Sequence, residues 1–398
     1  MAATVVLSAF DVLQYPQGGG HFSAYLQYVY GLHAHGCDVW WLERLTSSGD
    51  RRADEATAAQ LAGRLGDAGL PGKLIVYSGD SDREREWLTL DESQAEEVIG
   101  RADLLLNFSY GIDAELLARF ARTALVDIDP GLLQLWIAGG DLHVAPHDLY
   151  FTTGDTVGSP EACFPSGGFP WIHIRPPVSL QQWRFANEQP SDVFTTISSW
   201  WSEEWVRDPV DGEWFENSKR TSFLQYLSLP EQVPVGLELA LSIERAGDEQ
   251  RALLESHGWS VRLARDVAAT PRDYRSYIRG AAGEFSCAKP SCMRLRNGWV
   301  SDRTVCFLAS GRPAVVQDTG PSESLDGGRG ILRFSTLQGA AEALRSVRDE
   351  YESHRHAARE VAETYFDATR IAGIILDAAA GTSPRTAPAG VEPATPSS

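Results

Sequence analysis

The chain has 398 residues, of which 43% are hydrophobic and 22% charged, a composition that fits a folded globular protein and excludes a fibrous or broadly disordered one. Its formal charge of −19 at pH 7 disfavours a nucleic-acid partner, because binding another polyanion needs a basic patch that the sequence does not contain. No apolar run reaches the ~18 residues that cross a bilayer, and no basic segment precedes the first apolar run, so we expect a cytoplasmic protein without a membrane partner.

The first half of the chain alternates short apolar runs with longer amphipathic stretches, a pattern typical of βαβ units on a parallel sheet. The apolar runs predict strands at residues 4–10, 38–42, 73–77, 103–107, 123–128 and 149–152. The amphipathic stretches predict helices at residues 22–35, 53–68, 91–99 and 114–121. Each of these helices begins after polar or Gly-rich residues, as helix capping requires.

The stretch 154–192 breaks this rhythm with glycines and prolines and predicts a linker. The alternation then resumes, with strands predicted at 193–197, 260–263, 283–286 and 313–317, helices at 219–227 and 248–257, and a long helical stretch at 337–379 that is split near Tyr351. The last residues, 381–398, have little to bury and predict a disordered tail. The fold class is therefore α/β, with two Rossmann-like doubly wound domains that face a central cleft and hold a ligand between the carboxyl ends of their sheets.

The first candidate motif is Gly18-Gly19-Gly20-His21, between the first predicted strand and the first predicted helix. The glycines let the backbone approach a ligand closely, and the helix start offers free N–H groups and a positive dipole end to a phosphate or a developing anion. His21 would then face the cleft. A flexible loop with a surface histidine is the competing interpretation. The motif is neither G-x-G-x-x-G nor a P-loop, so it does not predict a dinucleotide site.

The second candidate motif spans residues 283–320 and has the order strand, loop with a lysine, helix, Gly-x-Pro stop, strand and acidic turn. This order places Lys289, Arg303 and the amides of the helix start around one diphosphate. Asp318 follows just beyond, where it could accept hydrogen bonds from sugar hydroxyls. The competing interpretation makes Ser301-Asp302 a simple helix cap and Lys289 a solvated loop residue.

This second motif resembles the nucleotide-sugar half of the GT-B glycosyltransferases. It is most similar to a bacterial group that carries G-E-F-S-x-A-K, G-W-x-S-D-R and A-S-G-R-P-x-V-x-Q-D-T-G strings. Further similar strings are found at residues 18–22, 127–130, 151–154 and 175–178. The resemblance therefore extends over nearly the whole chain, to about Ala379.

The resemblance implies an acceptor-binding domain at residues 1–180, a nucleotide-sugar-binding domain at 181–365, and a helix at 366–380 that crosses back to the first domain, ahead of the tail at 381–398. It implies that the donor base is recognised by the backbone around Arg265-Asp266-Val267. Trp200 belongs to a Trp-rich turn that could pack against sugar or acceptor, or could be an ordinary core aromatic. The predicted donor-binding residues are Gly19, Gly20, Trp200, Val267, Lys289, Ser301, Asp302, Arg303, Asp318 and Thr319.

Glycosyl transfer needs fixed charge to stabilise the leaving diphosphate and, in an inverting enzyme, a base that takes the proton of the acceptor hydroxyl. His21 is the predicted base, with Asp127 or Asp129 as the carboxylate that orients its ring. Many retaining GT-B enzymes carry two glutamates ahead of the Gly-x-Pro turn, and the corresponding positions here hold Gly298 and Cys306, which favours inversion. The Gly-rich loop also resembles that of retaining enzymes, and in that case His21 would contact sugar or phosphate.

We therefore expect a hexosyltransferase that uses a nucleotide sugar, in particular a UDP-sugar, and a hydroxyl of a small-molecule acceptor such as a natural-product or nucleoside intermediate. We expect no cofactor and no metal, because enzymes of this fold use basic side chains and helix amides in that role, and the chain could form a homodimer. Two alternatives stay open. One is a nucleotide-sugar epimerase or hydrolase of the same fold, and the other is a non-catalytic nucleotide-sugar binding protein.

Overall fold

The computed structural model describes residues 2–79, 85–243, 247–322, 325 and 328–382. Of the tail predicted at 381–398, all but Gly381 and Thr382 lie outside the described residues, so its disorder stays a prediction. No helix within the described ranges is long and apolar enough to cross a membrane.

The first sheet contains eight strands in the order β4-β3-β2-β1-β5-β6-β7-β8, and every neighbouring pair is parallel except β3 with β4. Its strands are β1 (Thr4–Ser8), β2 (Asp38–Arg44), β3 (Leu74–Ser78), β4 (Glu86–Trp87), β5 (Leu104–Asn107), β6 (Thr123–Asp127), β7 (Leu149–Thr152) and β8 (Trp171–His173). The helices between them are α1 (Gly19–Ala34), α2 (Arg51–Asp67), α3 (Glu92–Arg101), α4 (Ala114–Leu117) and α5 (Leu132–Gly139).

The second sheet contains six parallel strands in the order β13-β12-β9-β14-β15-β16. Its strands are β9 (Val193–Ser199), β12 (Gly236–Ser242), β13 (Ser260–Leu263), β14 (Gly283–Ser286), β15 (Ala314–Gln317) and β16 (Ile331–Phe334), and a separate antiparallel hairpin is formed by β10 (Trp205–Arg207) and β11 (Trp214–Glu216). The helices are α6 (Lys219–Leu224), α7 (Asp248–Ser256), α8 (Ala264–Val267), α9 (Pro271–Gly280), α10 (Pro290–Leu295), α11 (Asp302–Ala309), α12 (Leu337–Asp349), α13 (Tyr351–Tyr365) and α14 (Ala368–Ala380), with a 3₁₀ turn at Leu229–Gln232.

Both sheets have the strand order of a doubly wound fold, in which the chain starts at the centre and builds outward on each side in turn. The side chains of β1 show why the sheet needs helices on both faces. Val5 and Leu7 pack with α1, α2 and α14, while Val6 packs with α3 and α4 on the other face. The predicted class of two Rossmann-like domains is therefore confirmed.

The predicted strands and helices are found at or close to their predicted positions, and the split near Tyr351 falls between α12 and α13. Six strands were not predicted, among them β4, which has two residues, and β16, which has four. β8 lies inside the stretch interpreted as a linker, and it is only three residues long. β12 carries Glu238, whose charge hides the strand in the sequence but is accommodated in the fold because the Tyr277 hydroxyl donates to its Oε1 at 2.6 Å. The hairpin strands β10 and β11 are also short and lie among polar residues.

Helix α14 packs on the first sheet, although it follows the second sheet in the chain. Ile371, Ala372 and Ile375 belong to the same buried cluster as β1. The chain crosses next to residue 178, where the Val178 N–H donates to the Phe366 carbonyl at 2.7 Å. The helix approaches α1 so closely that a Cβ on Gly31 would lie 2.3 Å from the Ala368 carbonyl oxygen.

We predict that Gly31→Ala lowers the free energy of unfolding by about 1–3 kcal/mol, because the added methyl forces α1 and α14 apart. Gly63→Ala is the matched control, since Gly63 lies in α2 with open space around its Cβ position. It should leave stability unchanged or raise it by up to about 1 kcal/mol, as Gly to Ala does in a helix. Urea unfolding monitored by circular dichroism measures both, and equal effects of the two substitutions would contradict the packing described.

Candidate active site

A cleft of about 440 Å³ opens between the two sheets, at the carboxyl ends of their central strands. The first sheet contributes the loop after β1 and the amino end of α1. The second contributes the ends of β9 and β12, the start of α8 and the amino ends of α6 and α11. Residues that line the cleft include Phe10, Asp11, Tyr15, Gly18, Gly19, Gly20, His21, Ser198, Lys219, Ser242, Ala264, Ala268, Tyr274, Ser301, Asp302 and Arg303.

The glycines at the start of α1 bring the two domains into contact. The Gly19 N–H donates to the Ala268 carbonyl at 3.1 Å, and a Cβ on Gly19 would lie 2.4 Å from that oxygen. A Cβ on Gly20 would lie 2.9 Å from the Tyr274 ring. Glycine is therefore required here by the close approach of the opposite domain. Among the described residues, the N–H groups of Gly20 and His21 have no acceptor and remain available.

His21 lies at the cleft, and a backbone group orients its ring. Its Nε2 is 2.7 Å from the Phe10 carbonyl oxygen, and its ring makes edge contacts with Tyr15 and Tyr25. A carbonyl only accepts, so Nε2 carries the proton and Nδ1 is left as the acceptor. The prediction that a carboxylate orients this ring is corrected. The ring donates its hydrogen bond to the Phe10 carbonyl, and not to Asp127 or Asp129.

Asp127 holds the loop after β6 in place. It is fully buried, and its Oδ2 accepts hydrogen bonds from Gln134 Nε2 and Thr152 Oγ1, both at 2.8 Å. Its Oδ1 accepts from the Asp129 N–H at 3.0 Å. Burial raises the pKa of Asp127 to about 7. These bonds fix the backbone that presents Asp129.

Asp129 is half-buried and lies within the electrostatic field of both domains. Tyr110 donates to its Oδ2 at 3.4 Å. Burial raises the pKa of Asp129, and the positive charges of Lys289 and His21 oppose this rise. The charges of the predicted base, His21, and of the predicted donor-binding residue Lys289 therefore both act on the Asp129 carboxylate.

The amino end of α11 presents unpaired amides. Ser301 is its N-cap, and the Ser301 hydroxyl accepts a hydrogen bond from the Arg303 N–H at 3.2 Å. Within the described part of the chain, the N–H groups of Asp302 and Thr304 have no acceptor. One N-cap oxygen leaves the other first-turn N–H groups free, and these groups together with the helix dipole form a site for an anion.

Arg303 requires a correction, because its charge is already neutralised within the protein. Its Nε donates to Glu284 Oε1 at 2.7 Å, Nη1 to the Ile197 carbonyl at 2.7 Å and Nη2 to Ser286 Oγ at 2.6 Å. Only 7% of the residue is exposed, and Glu284 is fully buried. Arg303 therefore joins α11 to β9 and β14, and it is not a free counter-charge for a diphosphate.

Lys219 is the free cation that sequence reasoning missed. It is the first residue of α6, and it forms no ion pair within the described ranges. Burial and the charges of Arg303 and Lys289 lower the pKa of Lys219 to about 7. Lys289 is less available, because its Nζ lies 3.6 Å from Glu204 Oε2. The only signal in the sequence was that Lys219 is one of three lysines.

Asp318 and Thr319 support the loop that leads into α11. Asp318 pairs with Arg333 at 3.1 Å and accepts from the Gly320 N–H at 3.1 Å. The Thr319 hydroxyl donates to the Trp299 carbonyl at 2.7 Å. Both contacts involve Oδ1 of Asp318, and its predicted contact with sugar hydroxyls stays a prediction.

Trp200 and Val267 direct their side chains into the protein interior. Trp200 is fully buried and packs with Phe223 in the core of the second domain, so its predicted contact with sugar or acceptor is wrong. The Val267 side chain is also buried, and Ala264 and Ala268 on either side of it line the cleft, so recognition of the donor base by the backbone here stays a prediction. The sequence shows a Trp-rich turn but does not show which tryptophan faces inward.

The hairpin of β10 and β11 packs against α5 of the first domain. Val206 and Phe215 form a cross-strand pair whose shared face packs against Leu132 and Trp136 of α5. Glu204, at the base of the hairpin, is the residue next to Lys289. Among the described residues, no group of three or more His, Cys, Asp or Glu side chains could hold a metal ion.

No protein-family model matches this chain, and no curated protein matches it. Several solved structures are similar to it in fold. An alpha-glucosyltransferase in complex with UDP and a 13-mer DNA containing a HMU base has a TM-score of 0.62 at 11% identity, covering 96% of this chain and 100% of that one. The chain has the GT-B fold.

Two further GT-B structures are similar over most of their length. HepE from Anabaena, in complex with UDP and glucose, has a TM-score of 0.55 at 12% identity. The similarity covers 95% of this chain and 100% of the HepE chain. A sucrose-phosphate synthase from Thermosynechococcus elongatus has a TM-score of 0.52 at 10% identity, with coverage of 95% and 98%. The expected GT-B fold is thus confirmed, and membership of the particular bacterial group rests on its strings alone.

We predict that Arg303→Met lowers the free energy of unfolding by about 3–5 kcal/mol, because it leaves the Glu284 carboxylate buried without a partner. The double variant Arg303→Met/Glu284→Gln removes that stranded charge and should be more stable than the single variant by about 1 kcal/mol or more. Urea unfolding measures both variants. If Arg303→Met has unchanged stability, the structural role of Arg303 is contradicted, and the interpretation of Arg303 as a free counter-charge for a diphosphate regains support.

Proposed function

We propose that this protein is a glycosyltransferase that moves a hexose from a nucleotide sugar, specifically a UDP-sugar, to a hydroxyl of a small-molecule acceptor. The observation that carries the proposal is the convergence of two unpaired helix amino ends and the free cation Lys219 on one GT-B cleft. The structures of alpha-glucosyltransferase and HepE, both described as complexes with UDP, support a uridine diphosphate in a cleft of this kind.

The donor diphosphate is proposed to bind at the amino end of α11. A diphosphate carries two negative charges, and the free amides of Asp302 and Thr304 together with the helix dipole favour an anion there. Lys219 supplies the compensating charge from α6. These groups are fixed before the reaction, so they stabilise the charge that develops on the leaving UDP without reorganising, and a metal ion is not required for this role.

His21 is proposed as the general base of an inverting transfer. Its Nδ1 is the free acceptor, while its Nε2–H donates to the Phe10 carbonyl and fixes the ring. The Asp129 carboxylate interacts electrostatically with His21 and would stabilise the imidazolium that forms. The acceptor hydroxyl then loses its proton to Nδ1 as its oxygen bonds to the anomeric carbon and the bond from that carbon to the diphosphate breaks.

The acceptor is proposed to be a small molecule and not a nucleic acid. The alpha-glucosyltransferase structure contains DNA, but the present chain has a net charge of −19, which repels a polyanion. An uncharged natural product or nucleoside intermediate experiences no such repulsion.

Incubation with a radiolabelled UDP-sugar separates this proposal from its two alternatives. Release of UDP that depends on an added acceptor supports transfer. An isomerised or hydrolysed donor in the absence of acceptor supports an epimerase or hydrolase, and saturable binding without turnover supports a binding protein. The anomeric configuration of the product, compared with that of the donor, distinguishes inversion from retention.

We predict that His21→Ala lowers kcat by about 10²–10⁴-fold, as loss of a general base does, while the Kd for the donor changes by less than about threefold. His33→Ala is the control, because His33 lies on the same helix but is exposed near its far end. It should retain normal kinetics. A His21→Ala variant that keeps most of its rate, or that loses donor affinity and rate in parallel, would exclude His21 as the base.

We also predict that the affinity for UDP-glucose falls as the pH rises. Free Lys219 has a pKa of about 7, and a bound diphosphate raises it, so binding takes up a proton. The affinity is therefore highest below pH 7 and decreases by about tenfold between pH 6 and pH 8. UDP-glucose is the suitable ligand because its diphosphate keeps the same charge over this range.

The matched variants are Lys219→Met, which should bind weakly and lose the pH dependence, and Lys73→Met, which should keep it. Lys73 pairs with Asp38 on the first sheet, away from the cleft. Calorimetric titration at several pH values measures both. A pH dependence that survives in Lys219→Met would contradict the assignment.

A further inference from the structure

A second cavity, of about 770 Å³, lies on the other side of α1 from the cleft. Ser23, Leu26, Gln27 and Tyr30 line it, and their spacing of three and four residues places them on one face of the helix, about half a turn from His21. We call this cavity the back crevice. Its volume falls in the range of small-molecule sites.

The back crevice is bordered by both domains and is rich in arginine. Arg64 comes from α2, and Arg272 and Arg275 come from α9. Asp67 is the one carboxylate among the residues that line it in the described part of the chain. Three guanidinium groups and one carboxylate give the crevice a positive local charge, although the net charge of the chain is −19. This positive charge favours an anionic ligand.

Arg64 is held in place without a hydrogen-bond acceptor for one of its donors. Its guanidinium carbon lies 4.5 Å above the Phe22 ring, and its Nη2 is buried with no partner among the described atoms. Burial lowers the pKa of Arg64 and the negative charge of Glu43 opposes this fall, so part of the cost of the buried donor is already offset, and an anion in the crevice would offset it further.

The two arginines of α9 differ in how they are held. Arg275 donates to the backbone carbonyl of Gln182 at 3.3 Å and to its side-chain oxygen at 3.1 Å, and Gln182 belongs to the segment that joins the two domains. Arg272 has an exposed side chain and forms no hydrogen bond or ion pair among the described residues. Arg275 is therefore fixed to the segment that joins the two domains, and Arg272 is free to reach a ligand.

We propose that the back crevice binds a phosphorylated small molecule whose phosphate bridges Arg64 of the first domain and Arg272 and Arg275 of the second. Such a ligand ties α9 to α2, whose Arg64 lies over the Phe22 ring of α1. The amino end of α1 carries the contact between Gly19 and Ala268 that shapes the cleft, so the ligand acts as an effector of the cleft from behind. The inference goes beyond the proposed function, because anion binding in the crevice does not depend on what the cleft does.

The test is calorimetric titration of the full chain with inorganic pyrophosphate. Arg64→Gln and Arg272→Gln should each weaken one binding event by about tenfold or more, since each removes charge-assisted hydrogen bonds. Arg52→Gln is the control, because Arg52 is exposed in the first turn of α2, the helix that carries Arg64, and does not line the crevice. It should bind as the wild type does.

The same titration in Lys219→Met separates the crevice from the cleft. The crevice event should survive in this variant, whereas pyrophosphate bound in the cleft should be weakened. The inference is overturned if no saturable event survives in Lys219→Met, or if Arg272→Gln binds as the wild type does. Failure of the cleft to bind would count against the proposed function and leave the crevice event in place.

Hydrogen exchange gives a second readout that does not depend on Arg64→Gln folding correctly. Pyrophosphate should slow amide exchange in α9 and α1 of the wild type and of Arg52→Gln, but not of Arg272→Gln. Unchanged exchange in the wild-type α9 at saturating pyrophosphate would also overturn the inference.

Discussion

The close approach of α1 to the second domain is the contact on which the rest of the site depends. The Gly19 N–H reaches the Ala268 carbonyl, and any side chain at this position would collide with the backbone of the other domain. The contact directs the amino end of α1 into the cleft and brings His21 to face the second domain. It also separates the cleft from the back crevice, so one helix shapes both cavities.

The charges around the cleft divide into two sets with different roles. Asp127 and Arg303 are buried and satisfied by neighbours, so they hold the loops that carry Asp129 and the α11 amides. Lys219 and the amino ends of α1 and α11 are left unpaired at the cleft surface. This division is expected of a preorganised site, since the groups that meet the substrate must be fixed without being neutralised beforehand.

The sequence predicted the fold well because most strands include apolar runs with sharp ends, such as β1 and β3. It missed the two- and three-residue strands β4, β8, β10 and β11, and it missed β12, in which Glu238 is accommodated by a tyrosine 39 residues away. The site was predicted in outline for the same reason. Its position after the strands follows from chain order, whereas the state of Arg303 depends on Glu284, a partner that spacing along the chain does not reveal.

The central claim is that a nucleotide diphosphate binds at the amino end of α11 beside Lys219, and the most direct measurement is a crystal structure of the protein grown with saturating UDP. We expect density for the diphosphate within hydrogen-bond distance of the Asp302 and Thr304 amides, with the Lys219 Nζ alongside. UDP bound elsewhere in the molecule, or a cleft that stays without nucleotide density at saturation, would contradict the account.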